Sequence, residues 1–415
     1  MNFYKQIAQH SFGNMMRFLL IFSIGTQLSI AQKQLSQEEK IADFNYLHQE
    51  LKESYPYFGI NKRAFKTDWL SNKQIYLEAI QKTKNDEDFF DTINSILHDL
   101  NNGHTDMYPT IIYDYFYKAY QQGASQDTIH TVYVKELQKT DSIRTNYWKK
   151  INHKLYFPGK KEDSEEEHIT TTVTPQNIHI NFIDSIATAM IHIKSFSHDL
   201  VENDIDTLAR FFEKAHQFKN LIIDIQGNDG GSTNYWLDHI VPHLIDKELS
   251  TSVVYAFKDS ERLQKFKPNY FENTINYSDI KLPNLPQELT DGSYLFRRED
   301  MTVSPTEGSK KYAGTIYLLV DNIVYSSSET LAVFCKATGF ATVVGEKTNG
   351  DGVGTDPLLL TLPNSGIVIR FTGEMGLNPD GSANDETKTV PDMIIEASNR
   401  TERTSKFLQF LQQKK

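Results

Sequence analysis

The chain of 415 residues contains a single cysteine, Cys335. One thiol can neither close a disulfide within the chain nor build a cysteine-rich zinc site. Glycine and proline are sparse, at 21 and 13 residues, which excludes a collagen-like or linker-like chain. Basic residues are in the minority, 43 against 54 acidic ones, and they form no stripe. A nucleic-acid partner is therefore not expected.

Long apolar runs are absent beyond the N-terminal segment. Residues 1–31 contain two basic and no acidic residues, an apolar run over 18–28 and a small residue at Ala31. This order is typical of a secretory signal peptide, and the alternative is an N-terminal anchor that stays in place. No later stretch approaches the roughly 18 apolar residues of a membrane span. We therefore expect a protein exported to a bacterial periplasm or beyond it, with no stable membrane span once the signal is removed.

The remaining chain divides into four segments by its patterns. Residues 32–108 predict a small helical domain, and 109–175 form an uncertain insert that we interpret as a possible small β unit. Residues 176–400 alternate strands and helices, which is typical of an α/β core, and 401–415 predict a tail or a helix.

Helix signals are clearest near the N-terminus of the mature chain. Ser36 and Glu39 form a capping-box pattern before an apolar stripe. A second helix is predicted over about 67–82, and a third begins near Asn85 and ends at Asn101-Asn102-Gly103.

Short apolar runs predict the strands of the core. A hairpin turning at 363–366 follows them. The predicted strands cover 187–193, 221–225, 315–320, 341–344, 358–362 and 367–371.

A glycine-rich segment, 224–231, follows a buried strand and precedes a helix. Glycines at such a junction let backbone N–H groups face an anionic oxygen. A phosphate cradle, an oxyanion hole and a plain tight turn are all compatible with the segment.

Two further positions carry chemistry that the pattern alone leaves open. Ser326 lies between a strand and a helix, where it is either a nucleophile at a helix N-terminus or an ordinary N-cap. His104 follows a helix that ends in glycine. It is either a general base or a residue of the turn.

Five elements in the same order resemble the C-terminal-processing (tail-specific) serine peptidases, in the branch of the tricorn core and the retinoid-binding-protein-like members. The resemblance covers most of the mature chain. The elements D-G-H-T, D-[LIV]-R-x-N-x-G-G, S-x-x-E, G-E-x-T-x-G and P-D stand at 102–105, 224–231, 326–329, 345–350 and 391–392.

The resemblance implies a crotonase-like or Clp-protease-like layered α/β core and hydrolysis of peptides or proteins without metal or cofactor. Ser326 would be the nucleophile, His104 the base and Glu386 the third triad member, with Asp385 as the alternative. The N–H groups of Ser327 and of Gly230 or Gly231 would form the oxyanion hole.

Several positions depart from the family pattern. Asp351 stands where the Ser–Lys branch has its basic lysine, so it cannot serve as a base of that type. Gln226 replaces the usual arginine, and Thr389 stands where a glycine is usual, which leaves the Glu386 assignment irregular. The segment 110–175 lacks a PDZ-like carboxylate loop. A catalytically silent peptide-binding relative and an esterase using the same Ser–His pair remain the alternatives.

We predict that the exported protein begins at Gln32. Small residues at the −3 and −1 positions of the cut favour cleavage after Ala31. N-terminal sequencing of exported protein measures this directly. Exported material that retains Met1 would contradict the prediction.

Overall fold

Helices and strands extend from Gln37 to Gln413 in the computed structural model of the chain. The structure describes residues 34–108, 110–125, 128–139, 148, 176–352 and 354–414. The expected signal peptide, 1–31, lies outside the described residues. None of the helices described is long and apolar enough to cross a membrane.

The first described segment is helical, as predicted. The Ser36 hydroxyl accepts a hydrogen bond from the Glu39 N–H at 3.2 Å, and the Glu39 carboxylate accepts one from the Ser36 N–H at 2.8 Å, so the capping box is confirmed. Asn85 caps the fourth helix. A helix over 58–65 was not predicted. The helices are α1 (Gln37–Ser54), α2 (Phe58–Phe65), α3 (Lys73–Gln81) and α4 (Asp86–His98).

The expected β insert is wrong for the described part of 109–175. That part forms α5 (Thr110–Gly123) and α6 (His130–Leu137) instead. Tyr113, Phe116 and Tyr120 recur at helical spacing, and they pack one face of α5 against the core. These aromatic residues therefore belong to a largely buried helical stripe.

A six-stranded sheet forms the centre of the α/β core. Its order is β12-β8-β7-β4-β3-β2, and all its pairs are parallel except β2 with β3. Short apolar runs form its inner strands because both faces are covered. The strands are β2 (Ile178–Ile183), β3 (Thr188–Ile193), β4 (Asn220–Asp224), β7 (Thr315–Val320), β8 (Thr342–Gly345) and β12 (Met393–Ile394).

Helices cover both faces of this sheet, which makes the core a layered α/β structure. On one face the sheet packs against α7 (His198–Ala215), α8 (Asn234–His239) and α10 (Ser327–Thr338). On the other face, Phe407 of α12 (Arg400–Gln413) packs with Leu411 onto the sheet. The segment predicted as a tail or a helix is thus a helix as far as Gln413.

Two small antiparallel sheets complete the fold, with orders β11-β5-β6 and β1-β10-β9. The pairing of β9 with β10 confirms the predicted hairpin. One apolar cluster joins these sheets to α1–α6, and so spans the predicted boundary at 108. The remaining elements are β1 (Asp106–Met107), β5 (Leu249–Phe257), α9 (Glu261–Phe266), β6 (Leu295–Val303), β9 (Leu358–Thr361), β10 (Val368–Phe371), β11 (Glu374–Leu377) and α11 (Asn384–Thr387).

Three loops converge at one edge of the six-stranded sheet. They follow β4, β7 and β8, which are neighbouring parallel strands, so their carboxyl ends lie side by side. The turn between β7 and α10 is the sharpest of them. Ser326 has φ 55° and ψ −128° there, in a region that residues with a Cβ rarely adopt.

We predict that Ser326→Gly is more stable than Ser326→Ala, by about 1 kcal/mol. Release of the positive-φ strain by glycine raises the free energy of unfolding by about 1–3 kcal/mol. The greater conformational freedom of glycine in the unfolded chain lowers it again by about 0.5–1 kcal/mol. Denaturant-induced unfolding of the two variants measures the difference.

Ser405 provides the matched control, because it is exposed in the middle of α12. There we expect the reverse order, with alanine more stable than glycine by about 1 kcal/mol. The same order at both positions would mean that the Ser326 turn holds no strain.

Candidate active site

The three serines of the turn have different surroundings. Ser328 is fully buried, and its hydroxyl donates to Asn228 Oδ1 at 2.7 Å. Ser327 is buried, and its hydroxyl has no hydrogen-bond partner among the described residues. Ser326 is only partly buried and lines a cavity of about 300 Å³. Among the three hydroxyls, that of Ser326 is therefore the best placed to meet a ligand from solvent.

His104 lines the same cavity as Ser326. Its ring stacks on that of Tyr325, with 4.9 Å between centroids and 30° between planes. Its Nδ1 lies 2.8 Å from Oδ2 of Asp351. With a proton on Nδ1 facing the carboxylate, the lone pair of a neutral imidazole lies on Nε2.

Asp351 Oδ2 is the acceptor at the centre of this cluster. Besides His104, the Tyr325 hydroxyl donates to it at 2.6 Å and the Asn102 amide at 3.0 Å. The side chain is 2% exposed, so these donors replace water around the carboxylate. Sequence reasoning noted Asp351 only as a missing lysine. The separation of 25 residues in sequence between Ser326 and Asp351 was the one available signal for Asp351. No sequence signal pointed to Tyr325.

The structure does not bring Glu386 to His104. The Glu386 carboxylate instead accepts two hydrogen bonds from the Arg63 guanidinium, at 2.6 and 2.8 Å. Arg63 also pairs with Glu288 at 2.9 Å. Arg63 and Glu386 line a separate groove of about 840 Å³. Successive side chains of a helix are rotated by about 100°, so Glu386 and its neighbour Asp385 on α11 face different surroundings.

Asp385, the alternative third member, lies close to the cluster. Burial, and after it the charge of Asp351, raise the pKa of Asp385 well above its usual value. Lys388 and a hydrogen bond with Asn102 act in the opposite direction. Two carboxyl groups at such close quarters do not both ionise readily.

The glycine-rich loop lies directly against the serine turn. A Cβ on Gly230 would lie 2.8 Å from Cβ of Ser326, and one on Gly231 would lie 2.3 Å from the Phe196 carbonyl. The Gly230 N–H donates to Asn228 Oδ1 at 3.0 Å. The N–H groups of Gly231 and Ser327 have no acceptor among the described residues. Of the two predicted glycines, Gly231 therefore has the N–H available to a ligand.

Two departures from the family motifs have local explanations. Thr389, at a position where glycine is usual, donates to Oε1 of the buried Glu329 at 2.7 Å. Gln226, at a position where arginine is usual, accepts a hydrogen bond from Arg403 of α12 at 2.8 Å. Arg403 also pairs with Glu346 at 2.6 Å. A guanidinium thus lies beside the glycine loop, but it comes from the C-terminal helix, which the sequence reasoning missed.

Comparisons with known proteins agree with this architecture. The model of peptidase family S41 matches residues 187–395, just over half of the chain. A structure of a proposed peptidase from Parabacteroides merdae ATCC 43184 is 17% identical, with a TM-score of 0.56, and the match covers 90% of this chain and 96% of that one.

A second structure, of mature CPAF complexed with lactacystin, is 11% identical with a TM-score of 0.57. The match covers 91% of this chain and 97% of that one. No curated protein sequence matches. At these identities the two structures show the fold, and the family match shows the class. The chain belongs to peptidase family S41 and is a serine peptidase.

Proposed function

We propose that this serine peptidase is exported and cuts peptide bonds with Ser326, His104 and Asp351 as its triad. One observation carries the proposal: Asp351 binds Nδ1 of a histidine whose ring lines the cavity of Ser326. In Ser–His–Asp triads the carboxylate likewise binds one ring nitrogen, which leaves the other nitrogen for the serine.

Each group has one role in the proposed reaction. Ser326 Oγ attacks the scissile carbonyl while His104 Nε2 takes its proton, which it later donates to the leaving amine. Asp351 holds the imidazole tautomer and stabilises the imidazolium. The N–H groups of Ser327 and Gly231 donate to the oxyanion, and the N-terminus of α10 favours the negative charge there.

Among the three carboxylates, the contacts support Asp351. The Glu386 carboxylate is occupied by Arg63. Burial and the charge of Asp351 raise the pKa of Asp385, which disfavours its charged form. Asp351 is in direct contact with Nδ1 of His104 at 2.8 Å, so it is the stronger candidate partner.

Export and substrate class follow from coarser observations. The basic start and apolar run of residues 1–31 support export. Membership of a peptidase family supports a peptide or protein substrate. The described residues between β1 and β2 form helices and no strand, which supports cleavage without a PDZ-like carboxylate loop.

Ser326→Ala is expected to abolish peptide hydrolysis and labelling by a serine-directed phosphonate. The loss is of the order of 10³-fold or more, as for other triad nucleophiles. Ser328→Ala and Ser327→Ala are the matched controls and should retain labelling. Loss of labelling in Ser327→Ala or Ser328→Ala, with Ser326→Ala still labelled, would contradict the assignment.

Asp351→Asn is expected to lower kcat by about 10²- to 10⁴-fold, because an amide cannot stabilise the imidazolium or favour the required tautomer. Glu386→Gln, an equally isosteric change, should change kcat by no more than a few fold. Steady-state kinetics on one peptide measures both.

Asp385→Asn separates the remaining alternative, since it removes a carboxyl beside Asp351 without touching the Nδ1 contact. We expect it to retain more activity than Asp351→Asn. A loss in Glu386→Gln or Asp385→Asn larger than that in Asp351→Asn would reject Asp351 as the third member.

A further inference from the structure

We propose that the cavity beside Ser326 binds one large apolar or aromatic side chain of the substrate, next to the bond that is cut, and excludes acidic side chains. The inference rests on the proposed function, because it assigns a substrate class to the same site. The size of the cavity fits this role, since a volume of about 300 Å³ is at the lower end for ligand pockets and suits one side chain.

One wall of the cavity is aromatic. Tyr108, which follows β1, and Phe116 and Tyr120 of α5 all line it. Their rings contact one another, with 5.4 Å between the centroids of Tyr108 and Phe116 and 6.0 Å between those of Phe116 and Tyr120. Leu359 of β9 adds an aliphatic surface. Such rings pack favourably against another large apolar side chain.

The aromatic wall is fixed from behind. Tyr120 stacks on Tyr133 of α6 at 4.5 Å, and Tyr133 packs edge-on against Phe266 of α9 at 4.8 Å. Tyr120 is 5% exposed and Tyr133 3%. A wall already held in place loses little conformational freedom when a substrate side chain binds.

The charges of the cavity disfavour an acidic side chain. Arg370 is neutralised by Asp106, which accepts two hydrogen bonds from it at 2.7 and 3.2 Å. Asp351 is surrounded by its donors. Asp356 is exposed at the cavity and has no hydrogen-bond or ion-pair partner among the described residues. The uncompensated charge is therefore negative.

A basic side chain would gain less than a large apolar one. An exposed ion pair with Asp356 contributes up to about fivefold in affinity. Burial of a side chain of the size of leucine or phenylalanine contributes about tenfold to a hundredfold. The aromatic wall thus outweighs the attraction of the one exposed carboxylate.

A peptide library that varies the residues on both sides of each bond, with products identified by mass spectrometry, tests the proposal. At one of the two positions flanking the cut, we expect peptides with Phe, Tyr, Leu or Met to be cleaved at least about tenfold faster than peptides with Asp or Glu. Preference for Lys or Arg, or no preference, would overturn it.

Phe116→Trp narrows the cavity and should shift the preference toward Ala and Ser by about tenfold. Phe65→Trp is the matched control, because Phe65 is 44% exposed on α2 and does not line the cavity. An unchanged preference in Phe116→Trp, or an equal shift in Phe65→Trp, would reject the assigned wall.

Binding to the Ser326→Ala protein separates this proposal from the proposed function. Calorimetry should give tighter binding of a peptide with Phe than of the same peptide with Glu, and Phe116→Trp in that background should reduce the difference. Equal affinities would overturn the side-chain proposal. Selective binding without any cleavage by the unmodified protein would overturn the proposed function and leave the side-chain site supported.

Discussion

The hydrogen bonds that meet at Oδ2 of Asp351 are the contact on which the site depends. They join three parts of the chain: the turn after α4, the turn before α10 and the loop after β8. Because the carboxylate is buried, it needs these donors, and because there are three of them its position is fixed from three directions. These hydrogen bonds hold the segments of His104 and Ser326 at one cavity, while apolar packing holds together the layers of the core beneath the cavity.

The layered core could be predicted because its signals are local. Residues 315–320 are a continuous apolar run and form the predicted strand, and the predicted helix begins directly after Ser326. The capping box at Ser36 and the hairpin at 358–371 are equally local patterns. Ser326 and His104 are proposed for the same reason, since each stands at the end of a helix or strand that the sequence predicts.

The remaining features depend on long-range packing. The contact between Asp351 and His104 joins residues 247 positions apart, so no spacing rule predicts it. Gln226 stands where the family pattern has an arginine, yet a guanidinium still lies there, because Arg403, 177 positions away in sequence, donates to Gln226. The expectation of a β unit at 109–175 is wrong for the described helical residues of 110–137, because burial of one aromatic stripe at helical spacing decides their structure.

The long sequence separation within the Asp351 cluster has a consequence for the life of the chain. Contacts between distant segments form late, after loop closure has been overcome by the packing of the whole core. An unfolded polypeptide therefore lacks the contact between Asp351 and His104, and a molecule whose first helices detach loses it again. Under the proposed triad, peptide hydrolysis requires global folding, because only the folded chain brings the segments of His104, Ser326 and Asp351 together.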